Sequence, residues 1–220
     1  MGVTTMILGE SGRGKSRSIK NLNPEETLVI KSVKKPFPFP TKDWKSYDKE
    51  TKTGSVISTD DYEVIKRVIK GAKSLGKNVI VIDDAQYLMA NEFMRKSAVK
   101  GFEKFTELAK NMWELLNAAN DADDDLRVYL LQHTETNSDG SRKAKTIGKM
   151  LDEKITIEGL VTIVLNAEKE NNSYFFTTQN SGSDTGKSPE GMFSEYRIDN
   201  DLRLVDDAIC EYYGITPQSK

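Results

Sequence analysis

Gly9-Glu10-Ser11-Gly12-Arg13-Gly14-Lys15-Ser16 fits the pattern GxxxxGK[ST] at every specified position. The residue types explain themselves physically. Glycines let successive backbone N–H groups converge on phosphate oxygens, and a helix beginning near Lys15 adds the positive end of its dipole. The Lys15 ammonium neutralises the β and γ phosphates, and the Ser16 hydroxyl can ligate magnesium. Such a loop is meaningful between a strand and a helix. Val3-Thr4-Thr5-Met6-Ile7-Leu8 reads as a short buried strand ending at Gly9, and Lys15 to Lys20 reads as the start of a helix. The expected nucleotide-binding set is Gly9, Glu10, Ser11, Gly12, Arg13, Gly14, Lys15, Ser16 and Arg17.

Outward from this loop, strand and helix patterns alternate. Thr27 to Lys31 reads as a second strand. In Lys34-Lys35-Pro36-Phe37-Pro38-Phe39-Pro40, prolines at alternate positions forbid helix and favour an extended, exposed connector. Asp60 or Asp61 caps a helix whose apolar face is Ile65, Val68, Ile69 and Ala72, with Gly76 as its stop. Val79-Ile80-Val81-Ile82 is an unalternating β-branched run, the pattern of a strand covered on both faces. A long helical region follows, with Phe102, Phe105, Ala109, Met112, Trp113 and Leu116 as an expected core stripe.

Arg127 to Leu131 is a further strand, and Asp121 to Asp125 before it is a solvated acidic loop. Thr134 to Gly148 is polar. Leu160 to Leu165 and Tyr174 to Thr178 form an expected hairpin turning within Glu168 to Asn172, and a final helix lies near Leu202 to Tyr213. Together these predict one α/β domain over residues 1–220, a three-layer fold with a mainly parallel sheet flanked by helices and an antiparallel hairpin at one edge. Ligand belongs at the carboxyl ends of its strands.

Two further positions complete the expected site. The apolar run 79–82 delivers Asp83, an acid placed to hold magnesium through water. Asp84 stands where it can polarise the attacking water or, alternatively, cap the following turn. The 127–131 strand should lie beside the Asp83 strand and bring Gln132 to the same edge, where an amide can sense a γ-phosphate; Gln132 is favoured over His133 for this.

Composition narrows the partners. The 220 residues carry 32 Lys+Arg against 34 Asp+Glu, a formal charge of -2, so no whole-surface field holds nucleic acid or an anionic membrane. One cysteine, Cys210, and one histidine exclude an internal disulfide and a Cys/His zinc cluster. Apolar stretches of about five or six residues are too short to span a bilayer, and a strand directly after Met1 argues against a signal peptide, so a cytoplasmic location is expected.

With the Gly9–Ser16 loop, the 79–84 strand and Leu131-Gln132-His133 in this order, the chain resembles the RecA-like class of P-loop ATPases. It is more closely similar to AAA-domain ATP-binding proteins encoded by bacteriophages, including minimal recombinases. The late segment from Phe175 to Asn180 leading to Gly186-Lys187-Ser188-Pro189-Glu190-Gly191-Met192-Phe193 carries that closer likeness. The resemblance implies ATP and Mg2+ as ligands, a homo-oligomer, single-stranded DNA as partner with a single-strand-binding protein as a further one, and a role in recombination or replication. It places DNA contacts on the segment after the sensor glutamine, here Arg142, Lys143, Lys145 and Lys149 against Glu135 and Asp139. It also implies a cation acting in trans, Lys187 or else Arg197. One departure stands out: the strand after the P-loop helix, which ends in a catalytic glutamate in RecA, here ends Val29-Ile30-Lys31-Ser32, so either Asp84 takes that role or hydrolysis is slow, with Glu92 a weaker substitute. Two other functions fit the same loop, an ATP-switched loader of a replication protein and a small-molecule phosphotransferase. The eight scattered arginines argue against the arginine-rich lid of the latter.

Overall fold

The computed structural model describes residues 1–216. Its strands are Val3–Leu8 (β1), Thr27–Lys31 (β2), Val56–Ser58 (β3), Val79–Asp83 (β4), Arg127–Gln132 (β5), Thr134–Thr136 (β6), Arg142–Ala144 (β7), Ile163–Glu170 (β8), Ser173–Thr177 (β9) and Arg197–Asp199 (β10). Its α-helices are Tyr62–Gly71 (α1), Gln86–Arg95 (α2), Glu103–Asn120 (α3) and Leu202–Tyr213 (α4). Eight strands form one sheet in the order β10-β9-β8-β1-β5-β4-β2-β3, and β6 pairs with β7 in a separate hairpin. From β8 to β3 all neighbours are parallel, whereas β9 and β10 extend the β8 edge antiparallel. This is the expected mainly parallel sheet with an antiparallel edge.

Alternation along each central strand divides the core into two layers. Met6 and Leu8 of β1, Ile80 and Ile82 of β4, and Val128 and Leu130 of β5 pack under α1, α2 and α3. Their neighbours Ile7, Val79, Val81, Tyr129 and Leu131 face the other way, against α4 and the segment carrying Ile19 and Leu22. Both faces of β1, β4 and β5 are therefore apolar, which is why β4 reads as an unbroken hydrophobic run. Asp61 caps α1 by accepting from the N–H groups of Glu63 (2.8 Å) and Val64 (3.2 Å), and Gly76 ends the following 3-10 turn at φ 66°. Asn171 and Asn172, at φ 47° and 66°, make the tight β8–β9 turn, the backbone that a two-residue hairpin requires.

Three expectations need correction. The segment after the phosphate loop is a six-residue 3-10 helix, Ser16–Asn21, which ends where Leu22 turns extended ahead of Pro24. It is too short for a strong dipole. The supposed aromatic stripe is not uniformly core: Ala109, Met112 and Leu116 are buried, but Phe102 and Trp113 are exposed, Phe102 because it precedes the first turn of α3 and Trp113 because it lies off the buried face of Leu108, Met112, Leu115 and Leu116. The polar segment after Gln132 is an ordered hairpin, with Thr134 opposite Ala144 and Thr136 opposite Arg142. The Pro-rich segment is the expected exposed connector without helix, its Lys34, Lys35, Pro36, Pro38 and Pro40 exposed, while the half-buried Phe37 and Phe39 stack at 4.9 Å with Phe37 6.0 Å from Trp44.

Beneath α4, Arg127 makes a bidentate pair with Asp206 (3.0 and 2.8 Å), and Tyr129 donates its hydroxyl proton to the same carboxylate at 2.6 Å. All three side chains are buried. Asp206→Ala leaves a buried guanidinium uncompensated and is expected to cost about 3–5 kcal/mol. Chemical denaturation of the two proteins checks this.

Candidate functional site

The parallel register brings the carboxyl ends of four strands together. Leu8 is opposite Gln132, Lys31 is opposite Asp83, and Ile82 is opposite Leu130. The chain leaving β1, β2, β4 and β5 therefore surrounds one cavity of about 550 Å³, lined by the phosphate loop, Lys35, Asp84, His133 and Tyr174. A cleft of this size suits a nucleotide-sized ligand.

The loop is built for close backbone approach. Gly14 lies at φ 93°, and a Cβ there would stand 2.7 Å from the Tyr174 ring and 3.0 Å from the Asn200 side-chain oxygen. A Cβ on Gly9 would stand 2.7 Å from the carbonyl oxygen of Ala167. Neither position tolerates a side chain. Lys15 is almost fully buried, and its Nζ donates to the carbonyl oxygens of Gly9 (2.6 Å) and Glu10 (2.9 Å). Burial lowers its pKa to about 8, partly opposed by Asp84 and Asp83.

Ser16 donates its hydroxyl proton to Asp83 Oδ1 at 2.7 Å, joining the loop to the end of β4 two strands away. Burial and the neighbouring Asp84 push Asp83 above the usual carboxylate range, against the Ser16 hydrogen bond. A hydroxyl and a carboxylate oxygen are hard donors of the kind Mg2+ takes together with phosphate and water. Among the described residues no group of three or more His, Cys, Asp or Glu side chains could hold an ion, so a cation here depends on phosphate oxygens for most of its shell.

Asp84 does not cap α2, whose cap position is Ala85 with no side-chain bond. Its carboxylate instead meets Lys35 Nζ at 2.5 Å and lies 3.7 Å from His133 Nε2. Burial alone would raise its pKa, but His133 and Lys35 outweigh that and hold it below the usual range. Asp84 has φ 59°, a left-handed backbone that costs a non-glycine residue about 1 kcal/mol or more and that surrounding structure must enforce. Glu92 is engaged elsewhere, accepting from Lys96 (2.6 Å) and Asn111 (2.8 Å), and does not line the cavity.

Gln132 is fully buried. Its Nε2 donates to the carbonyl oxygen of Lys145 at 2.8 Å, and its Oε1 has no hydrogen-bond partner among the described residues. The end of β5 is thereby tied to the strand-turn-strand that follows it. Within that hairpin Arg142 is bonded to Glu168 and lies 3.9 Å from Asp184, Lys143 lies 3.6 Å from Glu135, Lys149 lies 3.9 Å from Glu153, and Lys145 is exposed. Lys187 stands apart from the cavity. Its backbone exchanges two hydrogen bonds with Val164 (2.8 and 2.9 Å), and burial lowers its pKa. Arg197 pairs with Glu170 at 2.7 Å. Of the loop residues, Arg13 turns back to Glu10 (2.9 Å) and the carbonyl of Lys169 (3.1 Å), while Ser11, Gly12 and Arg17 face the cavity.

Sequence reasoning missed three contributors. Lys35 reaches the cavity because β2 lies beside β4, so the chain leaving β2 crosses the same edge as Asp84. Tyr174 walls the cavity with its ring between Arg17 (5.0 Å) and Lys169 (5.1 Å). Asn200 is buried against Gly14, and neither of its amide atoms has a hydrogen-bond partner among the described residues. The strand order could have pointed to Lys35, but no local pattern marks Tyr174 or Asn200.

A family model described as an AAA domain matches residues 4–138, more than half of the chain. Among solved structures, a KaiC-like protein from the hyperthermophilic archaeon Pyrococcus horikoshii OT3 is 13% identical, with a TM-score of 0.40, covering 80% of this chain and 77% of that one. No curated protein matches the chain.

Proposed function

The chain belongs to the AAA domain family, and on that premise we propose that it binds ATP with Mg2+ in the Gly9–Ser16 loop and hydrolyses it. The observation that carries this reading is the 2.7 Å contact between Ser16 and Asp83, beside a buried Lys15 and with Asp84 one residue further on. Backbone N–H groups of the loop hold the phosphates, and Lys15 balances their charge. Ser16 and Asp83 would hold Mg2+ together with phosphate oxygens, and the ion would supply Lewis-acid stabilisation of the phosphate charge. Asp84 orients a water and accepts its proton as the water oxygen bonds to the γ-phosphorus and the bond to the leaving ADP oxygen breaks.

We further propose that Gln132 relays the state of the γ-phosphate to the β6–β7 hairpin, and that single-stranded DNA is what the hairpin reads. The bond from Gln132 to Lys145 supports the relay. The commitment of Arg142 to Glu168 leaves Lys145 and Lys149 as the cations most available to a phosphate backbone, so the DNA contact is modest and independent of base sequence. A homo-oligomer with Lys187 acting across a subunit boundary belongs to the same reading.

Phosphate release measured without added polymer, with single-stranded DNA, with duplex DNA and with nucleoside monophosphates tests this. Mg2+-dependent turnover raised by single-stranded DNA is the expected result. Stimulation by a nucleoside monophosphate with phosphoryl transfer to it would make the protein a phosphotransferase, and nucleotide binding without turnover would make it a switch acting through a protein partner. In the expected case, Lys145→Ala/Lys149→Ala lowers the stimulation and flattens its salt dependence while basal turnover is retained.

A further inference from the structure

Resting on the ATPase reading, we infer that Lys35 is a second cation of the same chain, beside Lys15, and that it contacts the γ-phosphate from the Pro-rich segment. Lys35 and Lys15 line the same cavity. Lys15 sits within the loop, whereas Lys35 enters from the far side, where its Nζ meets Asp84 at 2.5 Å. An ammonium has three donors. One is used by Asp84, and the others are available to an anion placed between Asp84 and the loop, which is where a water-attacked phosphoryl group must sit if Asp84 orients the water. Lys35 can thus touch the γ-phosphate without releasing Asp84.

The segment is held in place for this. Lys31 at the end of β2 donates to the carbonyl oxygen of Lys35, and its ammonium lies 4.1 Å from the centre of the Phe37 ring. Phe37 packs against Phe39 and the buried Trp44. Pro36 and Pro38, both lining the cavity, fix the backbone between these anchors. Prolines and aromatic contacts lower the entropy lost when Lys35 engages a phosphate, the condition for a preorganised charge. The arrangement also accounts for the missing acid after β2: that place at the sheet edge is occupied by a cation arm.

A contact made only to the γ-phosphate distinguishes ATP from ADP. Binding of Mg2+ with ADP and with a non-hydrolysable imido analogue of ATP is measured for the wild type, Lys35→Ala and Lys35→Gln, the last keeping a donor for Asp84. Each variant is expected to lose ~10- to 100-fold in affinity for the analogue, the size of one charge-assisted hydrogen bond, with less than about a twofold change for ADP. Lys35→Arg should recover most of the difference. Asp84→Asn should keep it, because Asp84 is not the group that binds the phosphate. Equal losses for both nucleotides, or no loss for either, overturn the assignment of Lys35 to the γ-phosphate and leave the ATPase reading standing. A wild type that binds neither nucleotide removes both. Thermal melts within a few degrees of the wild type, checked first, exclude misfolding as the cause of a loss.

Discussion

Lys15→Ala is expected to weaken Mg2+–ATP binding by about 100-fold or more, on the order of 3 kcal/mol, and to abolish measurable turnover. The Lys15 ammonium is buried inside the loop and bonded only to carbonyl oxygens of Gly9 and Glu10, so it is desolvated before any phosphate arrives. A charge in that condition interacts strongly with an incoming anion. Isothermal titration with ATP and ADP checks the loss, which should be large for both, unlike the γ-selective loss at Lys35. The same burial predicts a pH dependence. With a pKa of about 8 in the free protein, against about 10.4 for an ordinary lysine, Lys15 is protonated at pH 7 and loses its proton as pH rises through 8. Because the protonated form binds phosphate, affinity should fall by about tenfold from pH 7 to pH 9 and recover on return to pH 7. Lys15→Arg, whose guanidinium stays charged, should flatten that fall even if its absolute affinity is lower.

Asp84→Asn is expected to reduce single-turnover phosphate release by ~10²- to 10⁴-fold, the range of a lost general base, while nucleotide affinity changes by only a few-fold. The asparagine keeps the shape of the side chain but cannot accept the proton of the attacking water. Turnover near the wild-type rate would move Asp84 to a positioning role for Lys35 and His133. The Asp84 backbone at φ 59° favours a working residue over a casual one, since the strain is sustained by the Lys35 pair and by the α2 turn that starts at the next residue.

Several parts of this site were legible without a fold because their signals are local. The loop pattern needs only eight consecutive residues. The unbroken run before Asp83 announces a strand buried on both faces, and with it an acid at a strand end. Gln132 follows from the same logic one strand further along, and β5 does separate β1 from β4. The 3-10 geometry after Ser16 was not legible, because Lys15 to Lys20 has ordinary helical residues and the stop comes from Leu22 and Pro24 beyond it. Asp84 was ambiguous between base and cap because a carboxylate before a helix serves either purpose. In the folded protein Asp84 does not cap α2 and its carboxylate meets Lys35, forty-nine positions earlier in the chain.

The cations show the same division. Counted along the chain, Arg142, Lys143, Lys145 and Lys149 form a basic cluster. In the folded protein Arg142 is held by Glu168 on β8 and Lys143 lies beside Glu135 across its own hairpin, so much of that charge is balanced internally. Lys35, read as part of an exposed connector, is one of the two lysines that line the nucleotide cavity.

The order of residues was sufficient for the α/β class, for the Gly9–Ser16 loop after β1 and for an acid, Asp83, at the end of a strand buried on both faces, because hydrophobic period and backbone-contact motifs are encoded within a few neighbouring positions. The folded chain alone determined which charges meet in the cavity. Lys31 opposite Asp83 in the β2–β4 register, and the path of the Pro-rich segment leaving β2, bring Lys35 to Asp84. Such pairings depend on strand order and register between distant segments, and Coulomb interaction at 2.5 Å acts on that final geometry rather than on distance along the chain.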